Sequence, residues 1–119
     1  NRVVMISDSM RATGLSDGLY TLGGQDVKVV GKLATLVSDG AIAGSATNLM
    51  DCVRTAVFDM DIPLETAIGC ATANPAKSVG LYDKYGSIKA GKVGNVVLLN
   101  YDLSLKAVII KGKIIKLDK

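Results

Sequence analysis

The chain opens on Val3-Val4-Met5-Ile6, four bulky apolar residues in an unbroken row, and the row runs straight into Ser7-Asp8-Ser9-Met10. An apolar run of this length with no alternating polar residue reads as a strand covered on both faces. Such strands occur mostly in parallel sheets packed by helices. In those folds the carboxyl ends of the strands open into the active-site crevice, so a carboxylate at that end is a functional candidate. Aspartate also closes turns through its own side chain. The octapeptide by itself leaves both readings of Asp8 open.

With 119 residues, 49% of them hydrophobic, the chain has enough material for one domain with a real core. It contains no histidine and no tryptophan. Without imidazole it cannot build a Ser-His-Asp triad or the commonest metal site, so catalysis carried wholly by this chain rests on carboxylates, lysines or thiols. Cys52 and Cys70 match no zinc or redox spacing and read as buried free thiols of a cytosolic protein. No apolar stretch reaches the length of a membrane span and no signal-peptide pattern opens the chain. A cytoplasmic protein with no membrane partner is therefore expected. A missing initiator methionine fits a fragment.

The net charge of +3 is unevenly placed: residues 1–76 carry 5 basic and 8 acidic side chains, residues 77–119 carry 9 and 3. The lysines of the second part are scattered among strand residues, where they discourage edge-to-edge pairing. Only Tyr82, Tyr85 and Tyr101 accompany them as rings, so no nucleic-acid partner is expected.

Beyond Asp8, the dipeptides Asp17-Gly18 and Gly23-Gly24 and the residue Gly31 divide the sequence into short β-rich pieces, Leu19–Leu22, Gln25–Val30 and Lys32–Val37. Turn residues between such runs predict an antiparallel meander. Residues 40–44, Gly-Ala-Ile-Ala-Gly, read as a loop entering a helix capped by Ser45, with Leu49, Met50, Val53, Val57 and Met60 on its apolar face. A second helix starts at Pro63, presents Leu64, Ala67, Ile68 and Ala71, and is interrupted at Asn74-Pro75; a short turn of helix then ends at Gly80. Strands follow at Val96–Leu99, Ala107–Ile110 and Ile114–Leu117, the last two flanking Lys111-Gly112-Lys113. The two β-rich parts are expected to share one sheet or sandwich, with the helices between them.

Several stretches carry a family resemblance. Residues 86–100, GSIKAGKVGNVVLLN, resemble the closing segment of amidohydrolase-superfamily enzymes, G-x-I-x-x-G-K-x-A-D-L-V-V-L-D, and residues 71–81, ATANPAKSVGL, resemble the A-T-x-N-P-A-x-x-L-G-L before it. ISDSMRATGLSDGLYTLGG, followed by GAIAGSATNLMDCVR, is similar to the N-acetylglucosamine-6-phosphate deacetylase family, which reads V-T-D-A-M-x-A-x-G-x-x-D-G-x-Y-x-L-G-G and then L-A-G-S-x-L-x-M. The likeness covers nearly the whole chain in the right order. Ser9 departs from the family's usual alanine, and Gly94-Asn95 from its Ala-Asp.

The resemblance implies an α+β fragment, about the last third of such an enzyme: the last strand and helices of a metal-dependent (β/α)8 barrel, plus most of a small β-sandwich. Residues 1–18 would be the last barrel strand and catalytic loop, 19–38 a sandwich meander, 39–80 the substrate loop and barrel helices, and 81–119 the C-terminal sandwich strands. Asp8 would be the catalytic acid/base, and Ile42, Ala43 and Gly44 would line the sugar site largely through backbone groups. The divalent metal, zinc or iron, would be held by residues on earlier strands, with no ligand in this chain. The implied activity of the parent is deacetylation of N-acetylglucosamine 6-phosphate, with the fragment inactive alone. Its partners would be the substrate and the rest of the barrel, in a homo-oligomer. Two alternatives stand beside this reading: another amidohydrolase, such as a deaminase or cyclic amidase, or a free-standing β-rich binding module.

Overall fold

The structure is a computed structural model, and it describes residues 2–115. It is an α+β arrangement with two separate antiparallel sheets, divided between two compact units. Met5–Met60 forms one unit, and residues 2–4 and 61–115 form the other.

In the first unit β1 (Gly18–Leu22), β2 (Gln25–Val30), β3 (Leu33–Leu36) and β4 (Ile42–Ser45) lie in sheet order β1-β2-β3-β4. The expected meander is present, and its tight connections at Gly23-Gly24 and Gly31-Lys32 are the two-residue loops that suit the strand twist. Along β2 the burial alternates: Val27 and Val29 are enclosed while Lys28 and Val30 are exposed. Val29 is paired with Ala34 and Val27 with Leu36; Val27, Val29 and Ala34 form the core of the unit with Met10, Ala12 and Ala43, and the half-buried Leu36 packs against it. Each buried valine contributes about 1.5–3 kcal/mol relative to exposure.

Two expectations are corrected here. The segment around residue 42 is a strand rather than a loop, because Ile42 pairs with Thr35 and Ser45 with Leu33 across a turn that Asp39 closes on the Ala41 N–H at 2.9 Å. The helix α1 (Leu49–Phe58) is capped by Asn48, not Ser45. The Asn48 side chain accepts from the Asp51 N–H at 3.0 Å while the Asp51 carboxylate accepts from the Asn48 N–H at 3.1 Å, a reciprocal capping box. Val53 and Ala56 are the buried residues of α1.

The second unit contains α2 (Leu64–Ala71), α3 (Ala73–Ser78) and a three-stranded sheet of β5 (Val96–Leu99), β6 (Leu105–Ile110) and β7 (Lys113–Ile115) in that order. The helix break falls at Thr72, with φ −130° and ψ −76°, two residues before the expected Asn74-Pro75. Pro75 then sits in the first turn of α3, where its missing N–H would have had no intrahelical partner. The end of α3 is as expected: Gly80 donates to Lys77 O and Leu81 to Ala76 O, the paired bonds of a Schellman motif. The hairpin at Lys111-Gly112 is also as expected, whereas Lys116 and Leu117 of the expected last strand lie outside the described residues.

Among the described residues, neither a shared sheet nor a strand at the opening run is present. The two β-rich parts do not share a sheet, since each closes its own ladders through local hairpins. The opening run Val3–Ile6 is not a buried strand: it joins neither sheet, and Val3 and Ile6 are 66% and 75% exposed. A strand covered on both faces needs hydrogen-bonded neighbours on its flanks, and here the Val3 carbonyl is met instead by the Asn74 side-chain amide at 2.8 Å.

Candidate active site

Asp8 stands in an exposed loop of the first unit with a backbone φ of 49°, a left-handed conformation that aspartate tolerates better than most residues. Two backbone bonds hold the loop against the end of β4. The Ser45 N–H donates to Asp8 O at 3.0 Å, and the Met10 N–H donates to Ser45 O at 2.8 Å, forming a parallel bridge between Ser9 and Ser45. The Thr13 hydroxyl adds a second donor to Ser45 O at 3.2 Å. Both anchors reach the core, since Met10 and Ala43 belong to the same buried cluster.

Of the three residues expected beside the substrate, Gly44 is the one that abuts Asp8. A Cβ placed at Gly44 would lie 3.4 Å from Asp8 O and 3.8 Å from a carboxylate oxygen of Asp8, and Gly44 itself has φ +78°. The side chain of Ile42 is 75% exposed, whereas the Ala43 methyl is buried in the core. Ala43 therefore has only backbone groups to offer to a ligand. The chain thus brings a carboxylate and a side-chain-free stretch of backbone together at one strand end. That arrangement allows a small molecule close approach to a carboxylate.

Hydroxyl groups surround this junction, and sequence reasoning missed them. Ser9 Oγ lies 2.8 Å from Ser7 Oγ and 2.5 Å from Thr47 O, and Ser45 Oγ lies 2.5 Å from Thr47 Oγ1. The signal was present as hydroxyl residues clustered in two short stretches, 7–9 and 45–47. Cys52, whose Sγ is 4.0 Å from Ile6 O, and Cys70 are free and half-buried rather than fully enclosed. Among the described residues no three His, Cys, Asp or Glu side chains lie close enough to share a metal ion. These residues do not fit the divalent metal that the resemblance implies.

The amidohydrolase family matches residues 25–115 of this sequence. The chain belongs to the amidohydrolase family. Among its relatives is an N-acetylglucosamine-6-phosphate deacetylase of Vibrio furnissii, 34% identical over 97% of this chain and 29% of its own length. A putative N-acetylgalactosamine-6-phosphate deacetylase of Escherichia coli K12 is 35% identical over 95% of this chain and 67% of its own. Among solved structures, an aspartate-to-alanine mutant of N-acetyl-D-glucosamine-6-phosphate deacetylase from Mycobacterium smegmatis, in complex with N-acetyl-D-glucosamine-6-phosphate, superposes with a TM-score of 0.80. It shares 35% identity over 93% of this amidohydrolase chain and 30% of that one. The chain thus spans about three tenths of the length of relatives such as the Vibrio enzyme. Among the described residues, no helix is long and apolar enough to cross a membrane.

Proposed function

We propose that the whole protein removes the acetyl group of N-acetylglucosamine 6-phosphate, giving glucosamine 6-phosphate and acetate, and that this chain supplies the acid/base Asp8. One observation carries the reading: Asp8 is held in a left-handed conformation, with its carbonyl bonded to Ser45 and with Gly44 against it. Such strain persists only where the surroundings impose it, and it clusters at functional sites.

An amide is cleaved when water adds to its carbonyl and the nitrogen leaves as an amine. The nitrogen leaves readily only once protonated. In this reading Asp8 takes the proton of the attacking water and then delivers it to the departing nitrogen. One carboxylate serves both transfers because the two atoms it must reach belong to the same tetrahedral carbon. The backbone of Ile42, Ala43 and Gly44 forms the wall against which the sugar lies. The zinc or iron of the parent would be bound by residues outside this chain, in the remainder of a (β/α)8 barrel in which the Val3–Ile6 run, unpaired here, would become the last strand. The isolated chain is then inactive, and the complete protein works in the cytoplasm as a homo-oligomer.

The relatives that support the reading are named for both the gluco and the galacto epimer. The test is acetate release by the whole protein from each 6-phosphate, with and without Asp8→Asn. Faster turnover of the gluco epimer, lost in Asp8→Asn, is the expected result. Preference for the galacto epimer would move the substrate assignment, and full activity of Asp8→Asn would remove Asp8 from the mechanism.

A further inference from the structure

The loop that carries Asp8 is fastened by more than its backbone. The hydroxyls of the residues before and after it, Ser7 and Ser9, are 2.8 Å apart, so they bridge across Asp8. Ser9 Oγ is also 2.5 Å from the Thr47 carbonyl, 38 residues further along the chain. A hydroxyl has one proton to give. A carbonyl can only accept, so the bond to Thr47 O uses the Ser9 proton, the same proton that Ser9 could otherwise give to Ser7 Oγ. Thr47 is fixed in turn, its N–H donating to Ser45 Oγ at 2.9 Å, and the Ser45 N–H returns to Asp8 O at 3.0 Å. The bonds therefore close a ring from Asp8 through Ser45, Thr47 and Ser9 back to Asp8.

We propose that Ser9 is a positioning residue for Asp8: its hydroxyl, tied to the Thr47 carbonyl, fixes the direction in which the Asp8 carboxylate leaves the loop. The proposal rests on the reading of Asp8 as the acid/base. Asp8 and Ser9 are both exposed, so the Ser9 bond competes with water and adds little to folding stability. Placement is another matter. A group that must exchange protons with two atoms of one intermediate has to be held within about 0.5 Å of its working position. An exposed residue with a left-handed backbone does not hold such a position unaided.

The experiment compares Ser9→Ala, Ser9→Thr and Asp8→Asn in the whole protein, by steady-state deacetylation and thermal melting. Asp8→Asn should lower kcat at least about a hundredfold. Ser9→Ala should lower kcat about five- to tenfold, with KM within about twofold and an unchanged melting midpoint; Ser9→Thr, which keeps the hydroxyl, should restore kcat to within about twofold. A Ser9→Ala enzyme with wild-type kcat overturns the proposal. So does one whose lost activity follows a lowered midpoint, or one that Ser9→Thr fails to rescue. Should Asp8→Asn stay active, the acid/base reading itself falls, and the role of Ser9 with it.

Discussion

Gly44 lies directly against Asp8, so that a single added methyl would come into van der Waals contact with the candidate catalytic residue. The Cβ of an alanine at 44 would sit 3.4 Å from Asp8 O and 3.7 Å from Met10 Cβ, at a backbone φ of +78°. The left-handed conformation costs a residue with a Cβ about 1–2 kcal/mol, and relieving that strain would shift the backbone beside the Ser45 N–H that binds Asp8 O. Gly44→Ala should therefore destabilise the protein by about 1–2 kcal/mol in urea denaturation. It should also lower kcat of the whole protein by more than the lost folded fraction explains. Wild-type kcat in the folded variant would show that the close approach at Gly44 has no bearing on Asp8.

Asp51 gives the first unit an acid-labile joint. Its carboxylate is 3.0 Å from Lys32 Nζ and 2.9 Å from Arg54 Nη2, linking the β2–β3 turn to the first turn of α1. Burial raises its pKa. The hydrogen bonds from Lys32, the Asn48 backbone and Arg54 outweigh that and bring it from 3.8 down to about 2. A carboxylate with a depressed folded pKa contributes its full stability above pH 3.8 and loses it as pH falls through about 2. The contribution is roughly 1–2 kcal/mol once solvent screening of the exposed Lys32 is allowed for. Melting curves between pH 5 and pH 2 should show Asp51→Asn less stable than wild type at the upper end and converging with it at the lower. Parallel curves across that window would exclude the linkage.

The parts of the fold that were legible in the sequence are those fixed by neighbours in the chain. The β1–β2 and β6–β7 hairpins follow from their turn residues and flanking apolar runs, and the end of α3 follows from Gly80. What depends on distant partners was not legible. The four-residue β4 is short and its pairing with β3 shifts register between Leu33 and Thr35, so no alternation announces it. The Val3–Ile6 run has the composition of a buried strand, but neither sheet takes it up as a strand. At the site, Asp8 is a candidate from its place at the end of the apolar run and Gly44 from family resemblance, while the hydroxyl ring is missed. Serines and threonines are common enough that only geometry distinguishes a network from a coincidence.

The tightest backbone approach in the second unit is at Gly86. With φ +85°, its added Cβ would fall 2.7 Å from Ala76 Cβ and 2.9 Å from Thr72 O. Neither obstacle is a flexible side-chain end, so the 82–87 turn would have to move off α3. Gly86→Ala should cost more than about 2 kcal/mol, combining backbone strain with overpacking. Calorimetry of the whole protein provides the comparison, and Gly91→Ala makes an informative control. Gly91 has φ +85° as well, but nothing lies within 4 Å of its added Cβ, so it should show the strain alone. Equal losses in the two variants would mean that the contacts with α3 are not rigid.

Lys92 closes the same segment from the other side. Its ammonium donates to the carbonyls of Tyr82 and Tyr85, the latter at 3.2 Å, and lies 3.6 Å from the centre of the Tyr82 ring. A single cation thus satisfies two carbonyls of one turn while its charge rests on the face of an aromatic ring. Methionine keeps the length and apolar stem of lysine but has no donor. Lys92→Met should therefore lose about 1–3 kcal/mol through the charge-assisted bonds. Arginine, a planar fork on a longer stem, places its donors differently and should recover only part of this. The loss should be local before it is global, because Val93 N–H donates to Lys84 O at 3.0 Å within the closed segment. In Lys92→Met the Val93 amide should exchange with deuterium faster by at least tenfold, while amides of the β1–β2 hairpin keep their rates. If Val93 stays as protected as in the wild type, the turn is held by its packing and the lysine is dispensable.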